Sequence, residues 1–459
     1  MLVLAGLVLT AAAWLRGAEY DEQYTLFLTA GTPRPDWPET VFPAGAVAAV
    51  QAGHASLAGI ARDLRATDVH PPLYFWAVGL WRTVFGPGLF AARMLSVVCG
   101  LGSLGLVGAI ARRCGIRPVL PMLLTLGCYG FVYTNAVARG FAAAEVLTLG
   151  GVALLLGRRF VLAGVCLGAA CCCNYLAVFV SGAVIIVTGA WVSALAAVPF
   201  LALDAWFFVA QHGARAGQFP PFSVWASVIR LGAYQTAAVF GGLPLYVDGV
   251  GRVLVGALVG LVAVGVVTCV GWRRPWFRGR AMLLVLGAAL APPVGLMLLG
   301  FVFNNTPIEL RYLSFGLPFV ALLAAWALPR WMVSVVLVVQ FFSIVGLLLS
   351  PRTMQPARAV AAEAVRLVGD GVVLVPRGND GVGIVGAFGI EAPPALRMLV
   401  IGPGDAVAER IGAYRRVAVA LMAQDRDSVT TIRGLRAALS AGNWRLVVAG
   451  SSVEVYERE

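Results

Sequence analysis

Charged side chains stand at the ends of apolar runs in this 459-residue chain. Asp21 and Glu22 follow the first run, Arg93 opens the second, and Arg139 follows the third. Glu309, Arg311 and Tyr312 open a late one. An arginine fork matches the oxygens of a phosphate, and a carboxylate beside such cations suits a general base. Each residue also has a structural reading. An arginine at a helix end snorkels to the interface, and an acid offsets the dipole of a helix N-terminus. If the runs bring their ends to one depth, the residues form a mixed acid and arginine ring at one face of a bundle. His54, His212, Asp204, Glu145 and Asp248 show no matching pattern and read as structural.

The elements that would position such a ring are membrane helices. Hydrophobic residues make up 60% of the chain and charged ones 12%, with a mean hydropathy of +0.87. A soluble domain carries about 25% charged residues, so the composition specifies a polytopic membrane protein. A cleaved secretory signal is not expected, since there is no basic leader and apolar segments recur throughout. A span needs about 17–25 apolar residues. Eleven candidates follow, at 1–16, 93–111, 118–137, 141–157, 160–175, 176–191, 193–209, 250–271, 281–302, 312–328 and 332–350. The crowded stretch 160–209 divides into three.

All 34 basic residues are arginine, and the net charge is +12. With the N-terminus inside, the inner loops hold Arg112, Arg113, Arg117, Arg158, Arg159, Arg273, Arg274, Arg278, Arg280 and Arg330, with no acid. The first outer loop has a net charge of −2 and the tail from residue 352 one of +2. That asymmetry follows the positive-inside rule. Topology therefore accounts for most of the charge, and nucleic acid is not an expected partner. The expected location is the plasma (inner) membrane, multi-pass, with the ring and the tail extracytoplasmic.

This reading divides the chain into a transmembrane domain, 1–350, and a soluble extracytoplasmic domain, 351–459. The first carries a long extracytoplasmic loop, 17–92. Within that loop "HPPLYFWAVGLWRTVFG" (70–86) predicts a re-entrant or interfacial helix. His70 would cap it, and Pro71 and Pro72 would fill its first turn. The tail alternates strands, at 371–376, 397–401, 415–422, 445–450 and 452–457, with helices at about 354–368, 404–411 and 428–440. That is a small α/β domain. "GVGIVG" (381–386) matches a dinucleotide fingerprint and Asp405 follows it, but Gly is frequent here. The motif reads as a turn-rich strand connection. The eight cysteines lie in or beside apolar segments without CxxC spacing and read as small core fillers. No metal cluster or cofactor is expected from the spacing, although a divalent metal is compatible with it.

Four stretches carry a family resemblance. They are "AEYDEQYTLF" (18–27), "DVHPPLYFWAVGLWRTVFGPGLFAARMLS" (68–96), "YTNAVARGFA" (133–142) and "ELRYLSFGLPFV" (309–320). As an ordered set they resemble the polyprenyl-phosphate-sugar-dependent glycosyltransferases of the GT-C membrane fold. More narrowly, they resemble the protein O-mannosyltransferases and lipid A aminoarabinose transferases. The match covers 1–150 and 300–320; elsewhere only the layout agrees. The resemblance implies that Asp21 is the catalytic residue, with Glu22 beside it. It places His70 near the donor phosphate, where the aminoarabinose enzymes have lysine. Arg93, Arg139, Arg311 and Tyr312 fall on the family's arginine positions and its arginine–tyrosine pair. The family commonly has tyrosine two residues after the arginine matched by Arg139; this chain has Phe141.

The implied reaction is inverting transfer of a sugar from a polyprenyl-phosphate donor to an acceptor hydroxyl. Asp21 would take or orient the hydroxyl proton, and the arginines, with His70 as a further donor, would stabilise the departing phosphate. Glu19 reads as a solvated flank. The prenyl chain would lie among membrane lipid, and the tail would bind acceptor or cover the site. The alternative is a polytopic transporter or lipid flippase. Against it, the charges gather at one face rather than at the midplane. A non-enzymatic scaffold leaves the ring unexplained.

Overall fold

A computed structural model describes residues 1–211, 219–241, 249–274, 279–351, 353–422 and 425–459. His212, Asp248 and Arg278 lie outside the described residues. The chain opens with α1 (Leu2–Leu15), α2 (Tyr20–Ala30), a short strand β1 (Phe42–Pro43), α3 (Gly45–Gln51), α4 (Leu57–Thr67) and α5 (Leu73–Phe85). There follow α6 (Leu89–Arg113), α7 (Val119–Gly127), α8 (Tyr129–Asn135), α9 (Phe141–Leu156), α10 (Phe160–Cys173), α11 (Ala177–Thr188) and α12 (Trp191–Gln211). Then come α13 (Val224–Phe240), α14 (Gly249–Trp272) and α15 (Arg280–Phe303). A 3₁₀ turn (Leu310–Gly316) leads into α16 (Leu317–Ala327) and α17 (Arg330–Leu349). The tail holds α18 (Ala357–Val368), β2 (Val372–Pro376), α19 (Gly383–Glu391), β3 (Arg397–Ile401), β4 (Arg416–Ala420), α20 (Arg426–Ala441), β5 (Trp444–Ala449) and β6 (Val453–Arg458).

These elements pack as two units. One comprises Met1–Leu15, Asp68–Tyr74 and Arg93–Pro351; the other comprises Arg16–Thr67, Phe75–Ala92 and Arg352–Glu459. The partition differs from a cut at residue 350, because most of the first loop packs with the tail. β1 of that loop adds an antiparallel edge strand to β3, pairing Phe42 with Met398.

The helical unit is that of a multi-pass membrane protein. Six of its helices, among the described residues, are long and apolar enough to cross a bilayer; α9, α10 and α11 are shorter apolar helices. The expected span 118–137 is broken. At Cys128 the backbone turns extended, and its amide bonds Thr125 O rather than Leu124 O. A bilayer leaves no water for an orphaned carbonyl. Here the Cys128 thiol and Gln340 of α17 both supply donors: Cys128 Sγ lies 3.2 Å from Leu124 O, and Gln340 Nε2 lies 3.2 Å from Leu124 O and 3.2 Å from Val239 O. A side chain inserted into the helical ladder is a recognised cause of such breaks. α13 lies between the expected spans 193–209 and 250–271, where the sequence predicts none. The three-way division of 160–209 appears as α10, α11 and α12. Glycines set that packing: a Cβ on Gly164 would fall 2.2 Å from Ser193 O, and one on Gly168 would fall 2.9 Å from Phe200 Cβ. Small residues let membrane helices approach this closely.

The second unit is built on a six-stranded sheet in the order β1-β3-β2-β4-β6-β5. β2 runs parallel to β3 and β4, while β6 is antiparallel to β4 and β5. One core joins α18, α19 and α3 to residues of α2, including Tyr24 and Phe27. The other joins α20 to Val407 and Ile411. Neither lies in the helix expected at 404–411: Ile411 is in a turn and Val407 in the irregular segment before it. Gly404 sits in an earlier turn, in the left-handed region at φ 85°, where Asp405 accepts the Gly402 amide.

Candidate active site

In the helical unit, Arg139 lies in the tight turn between α8 and α9. Its amide donates to Val137 O (2.9 Å), and the Ser96 hydroxyl donates to the same carbonyl (2.7 Å). The hydroxyls of Tyr74 and Ser96 are 3.3 Å apart. Gly140 is needed here, because a Cβ would fall 2.2 Å from Cys173 O. The chain thus presses Arg139 into place from three directions.

His70 comes to Arg139. An Arg139 terminal nitrogen, Nη2, is 3.0 Å from His70 Nε2 and 3.2 Å from Nδ1. Asp68 completes the group, with Oδ1 3.0 Å from His70 Nδ1 and Oδ2 3.8 Å from Arg139 Nη1. The Asp68 oxygen Oδ1 also accepts the Val69 amide (2.7 Å). The main chain is fixed as well: Gln211 donates to His70 O (3.1 Å), and Tyr175 donates to Gln211 (2.8 Å). His70 is therefore not the cap of α5. That helix starts at Leu73, after the two prolines, and the imidazole is engaged with Asp68 and Arg139.

The motif around Arg139 meets the one around Arg311. The rings of Phe141 and Tyr312 stack with centroids 6.3 Å apart, and Phe141 also contacts Phe315 at 6.0 Å. The phenylalanine that departs from the family pattern thus serves ring packing, which needs no hydroxyl. The Arg311 guanidinium carbon lies 5.5 Å from the Tyr312 ring centroid, a cation–π distance. These residues occupy the 3₁₀ turn rather than the start of an α-helix. The turn ends at Gly316, whose Cβ would lie 3.0 Å from Ala289 O, a carbonyl that Pro293 cannot serve. Arg93 is buried, and its Nη1 donates to Ala13 O (2.8 Å), capping the last turn of α1. Glu145 and Asp204 are buried within the same unit.

Asp21 and Glu22 belong to the second unit, in the first turn of α2. Glu22 is fully buried, and its carboxylate accepts the Glu19 amide (3.0 Å), as in a capping box. Asp21 retains 8% exposure. Glu19 is no solvated flank: it is 2% exposed, pairs with Arg16 and accepts the Met354 amide (3.0 Å). α2 is further held by a Gln51–Gln23 hydrogen bond (2.9 Å) and by Tyr24, which donates to Asp380 (2.8 Å). Burial, reinforced by the Asp380 carboxylate, pushes the Tyr24 phenol far above its usual range. Arg82, from α5, donates to Leu26 O, Thr29, Gln51 O and Pro87 O, and burial lowers its guanidinium to about 10.

"GVGIVG" opens a helix, α19, between parallel strands, rather than a plain turn-rich connection. Its glycines make room for the first loop. A Cβ on Gly383 would fall 2.2 Å from the Tyr20 ring, and one on Gly386 would fall 2.8 Å from Gln23. Trp37 donates to Gly381 O (2.6 Å), and Asp380 accepts the Val382 amide. The space a pyrophosphate would need is filled by α2. A separate cleft of about 610 Å³ opens where β2, β3 and β4 begin, lined by Arg397, Arg415, Arg416 and Arg458 among others. None of the sequence-predicted site residues lines it. Among the described residues, no three His, Cys, Asp or Glu side chains gather as a metal site would require.

Sequence reasoning overlooked Asp68. The signal was present as an acid two residues before the histidine that precedes the paired prolines.

The element order and packing are those of the GT-C membrane fold. Over 99% of its length the chain is similar to the solved structure of ArnT from Cupriavidus metallidurans bound to undecaprenyl phosphate. The TM-score is 0.54, identity is 13%, and the match covers 96% of that chain. The same protein in the apo state gives a TM-score of 0.55 at 14% identity, with the same coverage of both chains. No protein-family model and no curated protein sequence matches the chain.

Proposed function

We propose that this protein is an inverting glycosyltransferase that moves a sugar from a polyprenyl-phosphate donor to an acceptor hydroxyl. The observation that carries the reading is the meeting of two distant arginine motifs through Phe141 and Tyr312, on a GT-C fold. The ArnT structure holds undecaprenyl phosphate; we carry that chemistry over as the leaving group here.

In this mechanism the guanidinium groups of Arg139 and Arg311, with Arg93, receive the phosphate as negative charge grows on it. Tyr312 shapes the Arg311 side of that cradle. The Asp21 carboxylate takes the acceptor's hydroxyl proton, and the freed oxygen attacks the anomeric carbon from the face opposite the phosphate. The glycosidic bond forms as the carbon–phosphate oxygen bond breaks, and the anomeric centre inverts. Glu22 holds the first turn of α2, and so the backbone that carries Asp21. The reading needs no cofactor, because phosphate is already a good leaving group. The arginine asymmetry of the loops supports an extracytoplasmic reaction in the plasma membrane, with the second unit on that side.

The test is a donor panel. Purified protein in liposomes is given radiolabelled polyprenyl-phosphate sugars and a membrane extract as acceptor source. Protein-dependent consumption of one donor, with a product of opposite anomeric configuration, is expected. No consumption of any donor, or a retained configuration, contradicts the reading.

A further inference from the structure

Four arginines stand apart from the proposed reaction, in the cleft where β2, β3 and β4 begin. Arg397 is the first residue of β3, Arg416 the first of β4 and Arg458 the last of β6, and Arg415 precedes β4. Asp370 and Glu457 line the same space, so four guanidinium groups against two carboxylates leave it a net charge of +2. Its volume, about 610 Å³, is that of a small-molecule site.

Sheet pairing accounts for only part of this group. Arg416 lies opposite Glu457 in the β4–β6 ladder, and its Nε donates to that carboxylate (2.8 Å). One step further along the ladder, like charges meet. The Arg458 amide donates to Arg415 O (2.9 Å), which sets these two arginines opposite each other at the strand ends. Such a pair is destabilising by itself. Among the described residues, the Arg415 side chain has neither an ion pair nor a hydrogen bond. The other three are anchored to the main chain. Nη1 of Arg397 donates to Asp370 O (2.8 Å), that of Arg416 to Leu367 O (3.2 Å), and that of Arg458 to Gly412 O. Each guanidinium carries five N–H donors, so the anchored groups keep donors for a ligand, and little ordering is left for binding to supply.

We propose that this cleft binds a phosphate monoester. Near neutral pH such a group carries a charge of about −1.5 to −2 and three acceptor oxygens. That charge offsets the +2 of the cleft, and the oxygens suit forked guanidinium donors. A lone carboxylate would leave half of the positive charge unbalanced. A phosphate between Arg415 and Arg458 turns the unfavourable pair of the ladder into two attractive contacts. The proposal goes beyond the proposed function and does not rest on it, because no residue of that mechanism lines the cleft.

The experiment is calorimetry on the full chain in nanodiscs of zwitterionic lipid, titrated with glycerol 3-phosphate at low salt. Saturable one-site binding is expected. Arg415→Ala should weaken it about tenfold, the scale of one hydrogen bond to a charged group. That side chain anchors nothing, so the variant keeps the fold. Arg433→Ala, which removes an exposed charge of the same unit outside the cleft, should leave the affinity unchanged. A second arm presents the same ester as phosphatidic acid in the nanodisc and reads the unfolding temperature of the second unit. A rise that Arg415→Ala removes, without binding of the soluble ester, assigns the phosphate to a lipid headgroup. Absence of binding in both arms overturns the proposal. So do equal losses in Arg415→Ala and Arg433→Ala, or acetate binding as tightly as the ester.

Discussion

Arg139 and His70, 69 residues apart, meet with a guanidinium nitrogen 3.0 Å from the imidazole Nε2. The contact joins the turn between α8 and α9 to the segment before α5. It makes the position of one arginine depend on two residues of the first loop. Substituting Arg139 by Lys removes the planar fork, whose Nη2 lies 3.0 Å from Nε2 and 3.2 Å from Nδ1 of the His70 ring. Transfer by Arg139→Lys is expected to fall about a hundredfold, the scale of one lost oxyanion-stabilising donor. Steady-state kinetics with the purified variant checks this.

Gly140 has no room for a side chain, since a Cβ would fall 2.2 Å from Cys173 O. Gly140→Ala should destabilise the helical unit by about 1–3 kcal/mol, the usual cost of overpacking. It should raise donor KM as well, because Arg139 is the preceding residue. Thermal unfolding in detergent and a donor titration read the two effects separately.

The glycines of "GVGIVG" serve the packing of α2. Gly383→Ala, with its Cβ in the Tyr20 ring, is expected to lower the unfolding temperature of the second unit. Pulse proteolysis with mass spectrometry of the fragments locates the loss. Equilibrium dialysis should find no dinucleotide bound to the unmodified protein.

Tyr24 ties α2 to Asp380, and its phenol is raised in the fold by burial and by that carboxylate. The folded chain therefore holds a proton that the unfolded chain releases above its usual value of about 10. The stability this contributes is complete below that pH and falls as pH rises beyond it. Tyr24→Phe should flatten the alkaline limb of an unfolding-versus-pH curve.

Much of the architecture was legible because it rests on local composition. The apolar runs became helices, the stretch 160–209 forms three helices of which only α12 is long enough to span, and the strands of the tail fell within two or so residues of their expected ends. What was illegible depended on partners far along the chain. The break at Cys128 is partnered in part by Gln340, more than 200 residues away, which donates to Leu124 O. α13 carries Arg230, Gln235 and Tyr234, which lower its hydropathy below that of a span. α19 is a helix written in glycine and β-branched residues, a composition that reads as turn until α2 is seen against it. Most of the first loop joins the tail through contacts such as Tyr24–Asp380, 356 residues apart, and no local pattern announces them.

The same limit applied to the candidate site. The arginines stood out because charge at the end of an apolar run is costly. Asp68 did not, because its meaning lies in where Arg139 ends up. Glu19 was misread for the same reason: only the fold supplies Arg16 and the Met354 amide as its partners.

The most direct test of the central claim is sugar transfer by Asp21→Asn. The amide is isosteric but cannot take a proton, so transfer should fall to background while expression, membrane insertion and unfolding temperature stay unchanged. Transfer near that of the unmodified protein would contradict the account.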